Sequence, residues 1–238
     1  MDVIILSGGM GTRLQNVVKD VPKTMAPING LPFLEYTFKY LSQFDVENII
    51  LAVGYKKEII EEYFKNQYGK MNIIYSEEDE PLGTGGALKK ALAKTAKENV
   101  IVMNGDIYTH LNIEKLYEQH ISTKAMVTLS LKKMKNFDRF GVVKFNKDKN
   151  ITEFKEKEYT KEGYINVGIY AMNKNIFNGL ELGNKFSLEN DYLKKIDSNG
   201  ACKAYLYRRR FYRYWNCRRL QQGKRKITQH EEAIIWKW

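Results

Sequence analysis

The chain has 238 residues, 43% of them hydrophobic, which is enough for one sizeable core with at most a small appendage. Its formal net charge is +11, yet ten Lys/Arg against two Asp/Glu fall between Arg208 and Trp238, so the body before them is close to neutral and does not read as a nucleic-acid binder. Cys202 and Cys217 make no disulfide framework, no apolar stretch approaches the ~20 residues of a membrane span, and no basic segment leads into a long apolar one at the start. A cytoplasmic protein without a membrane or nucleic-acid partner is expected.

In chain order, Val3–Leu6 is an apolar run that reads as a buried strand. Pro32 opens a helix in which Phe33, Tyr36 and Tyr40, and again Leu34, Phe38 and Leu41, recur at helical spacing, with Glu35, Thr37 and Lys39 breaking the apolar face. Ile49–Val53 is a second strand, Lys56–Asn66 a second helix, Ile73–Tyr75 a third strand, Gly85–Ala96 a third helix and Val100–Met103 a fourth strand. This alternation predicts a Rossmann-like α/β fold, a mostly parallel sheet flanked by helices. Ligands bind beyond the carboxyl ends of such strands, so the loops after strands one, three and four should face one cleft. Further on, Ala125–Lys132, Gly141–Phe145 and Ile165–Met172 alternate more and add antiparallel or mixed strands, and Ser187–Asp197 is a helix capped by Ser187. Residues 1–207 form a single domain in this reading.

Four segments carry chemistry. Ser7-Gly-Gly-Met-Gly-Thr-Arg-Leu14 follows the first strand directly; Gly8, Gly9 and Gly11 leave amides open to a phosphate chain, and Arg13 and Lys23 add cations. The loop lacks Gly-Lys-Ser/Thr and the third glycine of a dinucleotide fingerprint, so it is neither of those phosphate sites. Glu80-Pro-Leu-Gly-Thr-Gly-Gly-Ala-Leu88 is an irregular loop able to offer main-chain groups to a base edge; taken alone it is also a turn before a helix. Asn104-Gly-Asp106 places a carboxylate after a strand, suited to Mg²⁺, though the tripeptide is also an ordinary turn. Glu153–Lys157 reads either as a sugar-phosphate contact or as a solvated charge run. Asn166 and Gly168 interrupt a strand pattern where a ligand could approach. His110, His120 and His230 are scattered, surface or core histidines.

In this order the segments resemble the sugar-1-phosphate nucleotidyltransferase family over residues 1–207. Leu6–Leu14, Pro22-Lys-Thr-Met-Ala-Pro27 and Glu80–Gly86 most resemble its D-glycero-D-manno-heptose 1-phosphate guanylyltransferases. The resemblance implies that a sugar 1-phosphate attacks the α-phosphorus of a nucleoside triphosphate, GTP by subgroup, and that pyrophosphate leaves. It implies Arg13, Lys23 and Asp106 as catalytic residues, with Asp106 ligating Mg²⁺. Leu6, Gly8, Gly9, Gly11, Thr12, Glu80, Pro81, Gly83 and Thr84 would bind the nucleotide, and Gly141, Glu156, Lys157 and Asn166 the sugar phosphate. Transfer to mannose or glucose 1-phosphate, or a nucleotide-binding homologue without turnover, are the alternatives; homo-oligomerisation is left open.

The chain departs from the family after Tyr207. Relatives carry a late Phe-Ile-Asp-Ile-Gly-like motif whose aspartate is a second metal ligand, and it is missing. Back-translation of Arg208–Lys224 with synonymous codons, read one base on, gives EEDFIDIGIAEDYNKA, the absent motif. Residues 208–238 are therefore expected to be a frameshift product, with Arg213 standing where the metal-binding aspartate belongs. A cation there would repel a divalent ion.

Overall fold

The computed structural model describes residues 1–9, 20–195 and 201–207, and the backbone alone of 211–213. The elements are β1 (Asp2–Leu6), β2 (Pro27–Ile28), β3 (Leu31–Pro32), α1 (Phe33–Leu41), β4 (Asn48–Val53), α2 (Lys57–Phe64), β5 (Gln67–Tyr68), β6 (Met71–Glu77), α3 (Gly83–Leu92), β7 (Asn99–Asn104), β8 (Ile107–Thr109), α4 (Ile113–Thr123), β9 (Val127–Phe137), β10 (Gly141–Phe145), β11 (Ile151–Lys157), β12 (Thr160–Asn173), β13 (Cys202–Tyr207) and β14 (Phe211–Arg213).

The main sheet runs β11-β10-β12-β7-β1-β4-β6-β5, with β9 bridging β12 and β13. Its centre, β7-β1-β4-β6, is parallel, and the added strands β12, β10 and β11 are antiparallel. Parallel strands covered on both faces must be apolar throughout, and Val3, Ile4, Ile5 and Ile49–Val53 are fully buried. Successive residues of β1 serve opposite faces. Val3 and Ile5 pack with Leu34, Phe38 and Leu41 of α1, and Ile4 packs with Leu88 and Ala91 of α3. The chain runs from β1 to β4 on one side and places β7 on the other. The switch in strand order thus lies between β1 and β7, where an open α/β sheet leaves a crevice.

The mixed α/β fold is as expected, with differences of detail. Pro32 is the N-cap of α1, and Thr37 is buried, because α1 packs on two sides. Helix α3 starts at Gly83 and ends at Leu92. The charged run Glu153–Lys157 lies within the strand β11. Helix α4 was not expected from the pattern, because only Ile113, Leu116 and His120 of its residues are buried. The late helix is a π-turn, Leu188–Tyr192, followed by a 3₁₀ turn, Leu193–Lys195; Ser187 caps it as expected, its Oγ accepting from Asn190 N at 3.1 Å.

His120 is a core histidine, its Nδ1 2.9 Å from Thr128 Oγ1 and its Nε2 3.1 Å from Asn99 Oδ1. Burial lowers its pKa from 6.5 to about 4. The unfolded chain therefore takes up a proton that the folded chain refuses, so stability is full above 6.5 and is lost as pH falls toward 4. His120 should keep the NMR resonances of a neutral ring at about pH 5.5, where a free imidazole is mostly charged.

Candidate functional site

A cavity of about 840 Å³ opens beyond the carboxyl ends of β1, β6 and β7. The loops expected to share one cleft do so: Leu6–Gly9, Pro81–Thr84 and Asn104–Asp106 all contribute to its lining. Its opposite wall comes from β10, β11, β12 and the π-turn.

The parallel register sets the floor of this site. Leu6 stands opposite Asn104 across the β1–β7 pair. Gly105 N donates to Leu6 O at 2.9 Å, and a Cβ on Gly105 would lie 2.6 Å from Ser7 Oγ. Only glycine lets the two strand ends close up this far, which carries the next residue, Asp106, into the cavity. Its Oδ2 accepts from Lys23 Nζ at 2.6 Å, and the two side chains retain only 15% and 20% exposure. Lys23 arrives on a 3₁₀ turn, Lys23–Met25, after Pro22. The expected cation and carboxylate therefore meet over a separation of 83 residues.

On the nucleotide side, Leu6, Gly8, Gly9, Pro81, Gly83 and Thr84 line the cavity as expected, while Gly11, Thr12 and Arg13 lie outside the described residues. Glu80 does not line it; this side chain is exposed. The glutamate lining the cavity next to this loop is Glu78, whose Oε2 accepts from Leu82 N at 3.1 Å. Burial raises the Glu78 pKa, partly offset by that backbone hydrogen bond. A Cβ on Gly8 would come within 2.0 Å of Glu78 Oε1, so Gly8 makes room for this carboxylate. The motif at Glu80 is offset because β6 runs through Glu77, and the residue just past a strand end faces the crevice.

Gly85 and Gly86 do not present free amides to a base. Gly85 N donates to Phe186 O at 3.0 Å, and a Cβ on Gly86 would lie 2.2 Å from Asn184 O. These glycines instead admit the segment leading into the π-turn. Thr84 joins the same contact, accepting from Leu188 N and donating to Glu189 Oε2, each at 2.9 Å.

On the sugar side, Gly141, Glu156, Lys157 and Asn166 all line the cavity. Glu156 is ion-paired with Lys194, whose ammonium holds it below the usual carboxylate range. Asn166 is already engaged: its Nδ2 donates to Tyr170 Oη at 2.8 Å, and its Oδ1 accepts from Gly168 N at 2.8 Å. These bonds clasp a bulge in β12, where the register slips between Asn166 and Tyr170 and Gly168 adopts φ +85°. A Cβ on Gly168 would meet Asn104 Nδ2 at 2.6 Å, so the bulge seats the sugar wall against β7. The sequence reading missed Glu78, Asn104, Arg139, Glu189, Asn190 and Lys194 as lining residues. For Glu189 and Asn190 a signal was present in the Ser187 cap just before them.

The match to known proteins covers most of the chain and runs a little past Tyr207. The nucleotidyl transferase family description covers residues 2–216. The chain belongs to this family. It is 51% identical over 195 residues to the D-glycero-alpha-D-manno-heptose 1-phosphate guanylyltransferase of Aneurinibacillus thermoaerophilus, covering 82% of this chain and 84% of that one. It is 47% identical over 189 residues to the enzyme of that name from Campylobacter jejuni, covering 79% and 83%. Among solved structures it is similar to HddC from Yersinia pseudotuberculosis complexed with GMP-PN, with a TM-score of 0.83 and 33% identity over 95% of this chain and 99% of that one. Mannose-1-phosphate guanylyltransferase of Mycobacterium tuberculosis is more distant, at 32% over 87% of this chain and 58% of that one.

The family generally uses Mg²⁺. Among the described residues no cluster of three or more metal-ligating side chains occurs. One carboxylate, Asp106, beside the glycine loop still fits, because Mg²⁺ is commonly held by one or two carboxylates, with substrate phosphates and waters completing the shell.

Replacing Gly168 by alanine should strain the left-handed backbone and push Asn104 off its seat. We expect a loss of about 1–3 kcal/mol in denaturant unfolding together with impaired binding at the cavity.

Proposed function

We propose that the chain transfers GMP from GTP to D-glycero-α-D-manno-heptose 1-phosphate, giving the GDP-sugar and pyrophosphate. The observation that carries this reading is a single cavity joining the Gly8–Gly9 loop and the Lys23–Asp106 pair to the Glu156–Lys157 wall. The identity to the heptose-phosphate enzymes supports the choice of sugar. A phosphate oxygen of the sugar attacks the α-phosphorus, and the bond to the bridging oxygen of the β-phosphate breaks. No covalent intermediate on the protein is needed. Catalysis is then positioning and charge stabilisation.

The amides of Gly8 and Gly9 cradle the triphosphate, and Lys23 shifts from Asp106 to the phosphate where charge accumulates. Arg13 takes the leaving pyrophosphate by resemblance. Asp106 would hold Mg²⁺, which supplies neutralisation of the phosphate oxygens. Lys157 faces the sugar's phosphate and Glu156 a sugar hydroxyl. A cytoplasmic location goes with this reading, and among the described residues no helix is long and apolar enough to cross a membrane.

Glu78 supports guanine as the base. Guanine alone presents two adjacent donors, N1–H and the exocyclic amine, and an ionised carboxylate accepts both. Pyrophosphate release measured with four nucleoside triphosphates against heptose, mannose and glucose 1-phosphates tests the assignment, which fails if GTP with the heptose phosphate is not preferred. In that assay Glu78→Gln should lose the preference for GTP while folding normally. The affinity for GTP should also fall with pH through the raised Glu78 pKa, at a higher pH than an ordinary carboxylate would give.

A second reading concerns turnover. We infer that residues 208–238 are out of frame, and one backbone feature favours this. The β14 strand pairs antiparallel with β8, setting Arg213 opposite Ile107, next in sequence to Asp106. That is where a second metal-binding carboxylate would stand. Codons incompatible with the alternative frame would end this idea; otherwise a version with the frame restored should outpace the present chain in pyrophosphate release.

A further inference from the structure

We propose that Glu189 and Asn190, set by Thr84, form a polyol-binding edge that fixes the sugar's hydroxyls and ties its placement to the nucleotide loop. This rests on the guanylyltransferase reading above and assigns residues beyond those the family pattern suggested.

Glu189 and Asn190 are consecutive, yet both line the cavity. In an α-helix successive side chains diverge, and the wider π-turn that carries them brings neighbours closer to one face. The Glu189 carboxylate is held from one side only. Its Oε2 accepts from Thr84 Oγ1 at 2.9 Å and lies 3.5 Å from Ser187 Oγ, and among the described residues Oε1 has no hydrogen-bond partner. The Asn190 side-chain amide likewise has no partner among the described residues; only its backbone N–H is used, by the Ser187 cap.

Two other polar side chains on this wall are shared with protein partners, which leaves room for further contacts to the hydroxyls. Asn166 holds Tyr170 and Gly168, and Glu156 is paired with Lys194. A fixed carboxylate oxygen beside an amide offers an acceptor next to a donor–acceptor group. Neighbouring sugar hydroxyls, each able to donate and accept, match that pair.

Thr84 makes the edge conditional on the nucleotide side. Its hydroxyl accepts from Leu188 N at 2.9 Å and its own proton goes to Glu189, while its neighbour Gly83 lines the cavity beside Pro81. Gly83 has φ +72°, and a Cβ there would lie 2.6 Å from Phe186 O, so the loop and the π-turn segment are in direct backbone contact. Thr84 is thus a positioning residue; Glu189 and Asn190 touch the sugar.

The test is calorimetric binding of D-glycero-α-D-manno-heptose 1-phosphate to the full chain saturated with a non-hydrolysable GTP analogue. Glu189→Gln and Asn190→Ala should each weaken it about tenfold or more, with GTP-analogue affinity changed less than about twofold; Thr84→Val should weaken it as well, and Thr84→Ser should restore it. A monodeoxy analogue lacking the contacted hydroxyl should bind wild type weakly and lose little further in Glu189→Gln, a signature that a merely structural role would not give. If wild type binds the sugar phosphate and the variants bind it equally well, this inference fails and the functional reading stands. If wild type binds the GTP analogue but no sugar 1-phosphate, both fall together.

Discussion

The site depends on one close approach, the meeting of the β1 and β7 strand ends. Parallel pairing sets Leu6 opposite Asn104, and the absence of a side chain at Gly105 lets its amide reach Leu6 O. A phosphate loop leaves from one strand end and a carboxylate from the other. Because β1 also pairs with β4, the crevice between β1 and β7 lies at the switch in strand order, where open α/β sheets bind ligands.

The second wall is built by backbone irregularity. Regular antiparallel pairing of β12 with β7 and β9 would have continued the sheet without a break. The bulge clasped by Asn166 and admitted by Gly168 brings β12 against Asn104, and the contact of Gly83, Gly85 and Gly86 with residues 184–186 brings the π-turn over the mouth. The glycines of the Gly83–Gly86 stretch thus act mainly in packing one wall to the other. Gly85 and Gly86 serve close approach, and Gly83 both packs against Phe186 and lines the cavity.

Charge follows the same division. Lys23, Arg139, Lys155, Lys157 and Lys194 line the cavity together with Glu78, Asp106, Glu156 and Glu189. Cations of this kind suit two phosphorylated substrates, and the carboxylates suit a base edge, a metal and sugar hydroxyls. The net charge of the whole chain says nothing of this, because its excess sits beyond Tyr207.

The sequence by itself determined the alternating α/β order, the buried parallel strands and the identity of the loops that face the cleft. Those features are local: continuous apolar runs, helical spacing and glycine-rich turns state their own structure. It also carried Asp106, Glu156 and Lys157, whose motifs sit directly on a strand end or a strand, and Lys23, which a Pro-Lys-Thr-Met turn presents. Only the tertiary structure decided that Glu78 rather than Glu80 lines the cavity, that Asn166 is spent on holding a bulge, and that Glu189 and Asn190 look into the cavity. Each of these turns on strand register or on a contact between segments about a hundred residues apart. One residue of register reverses the face a side chain occupies, and no local pattern records it.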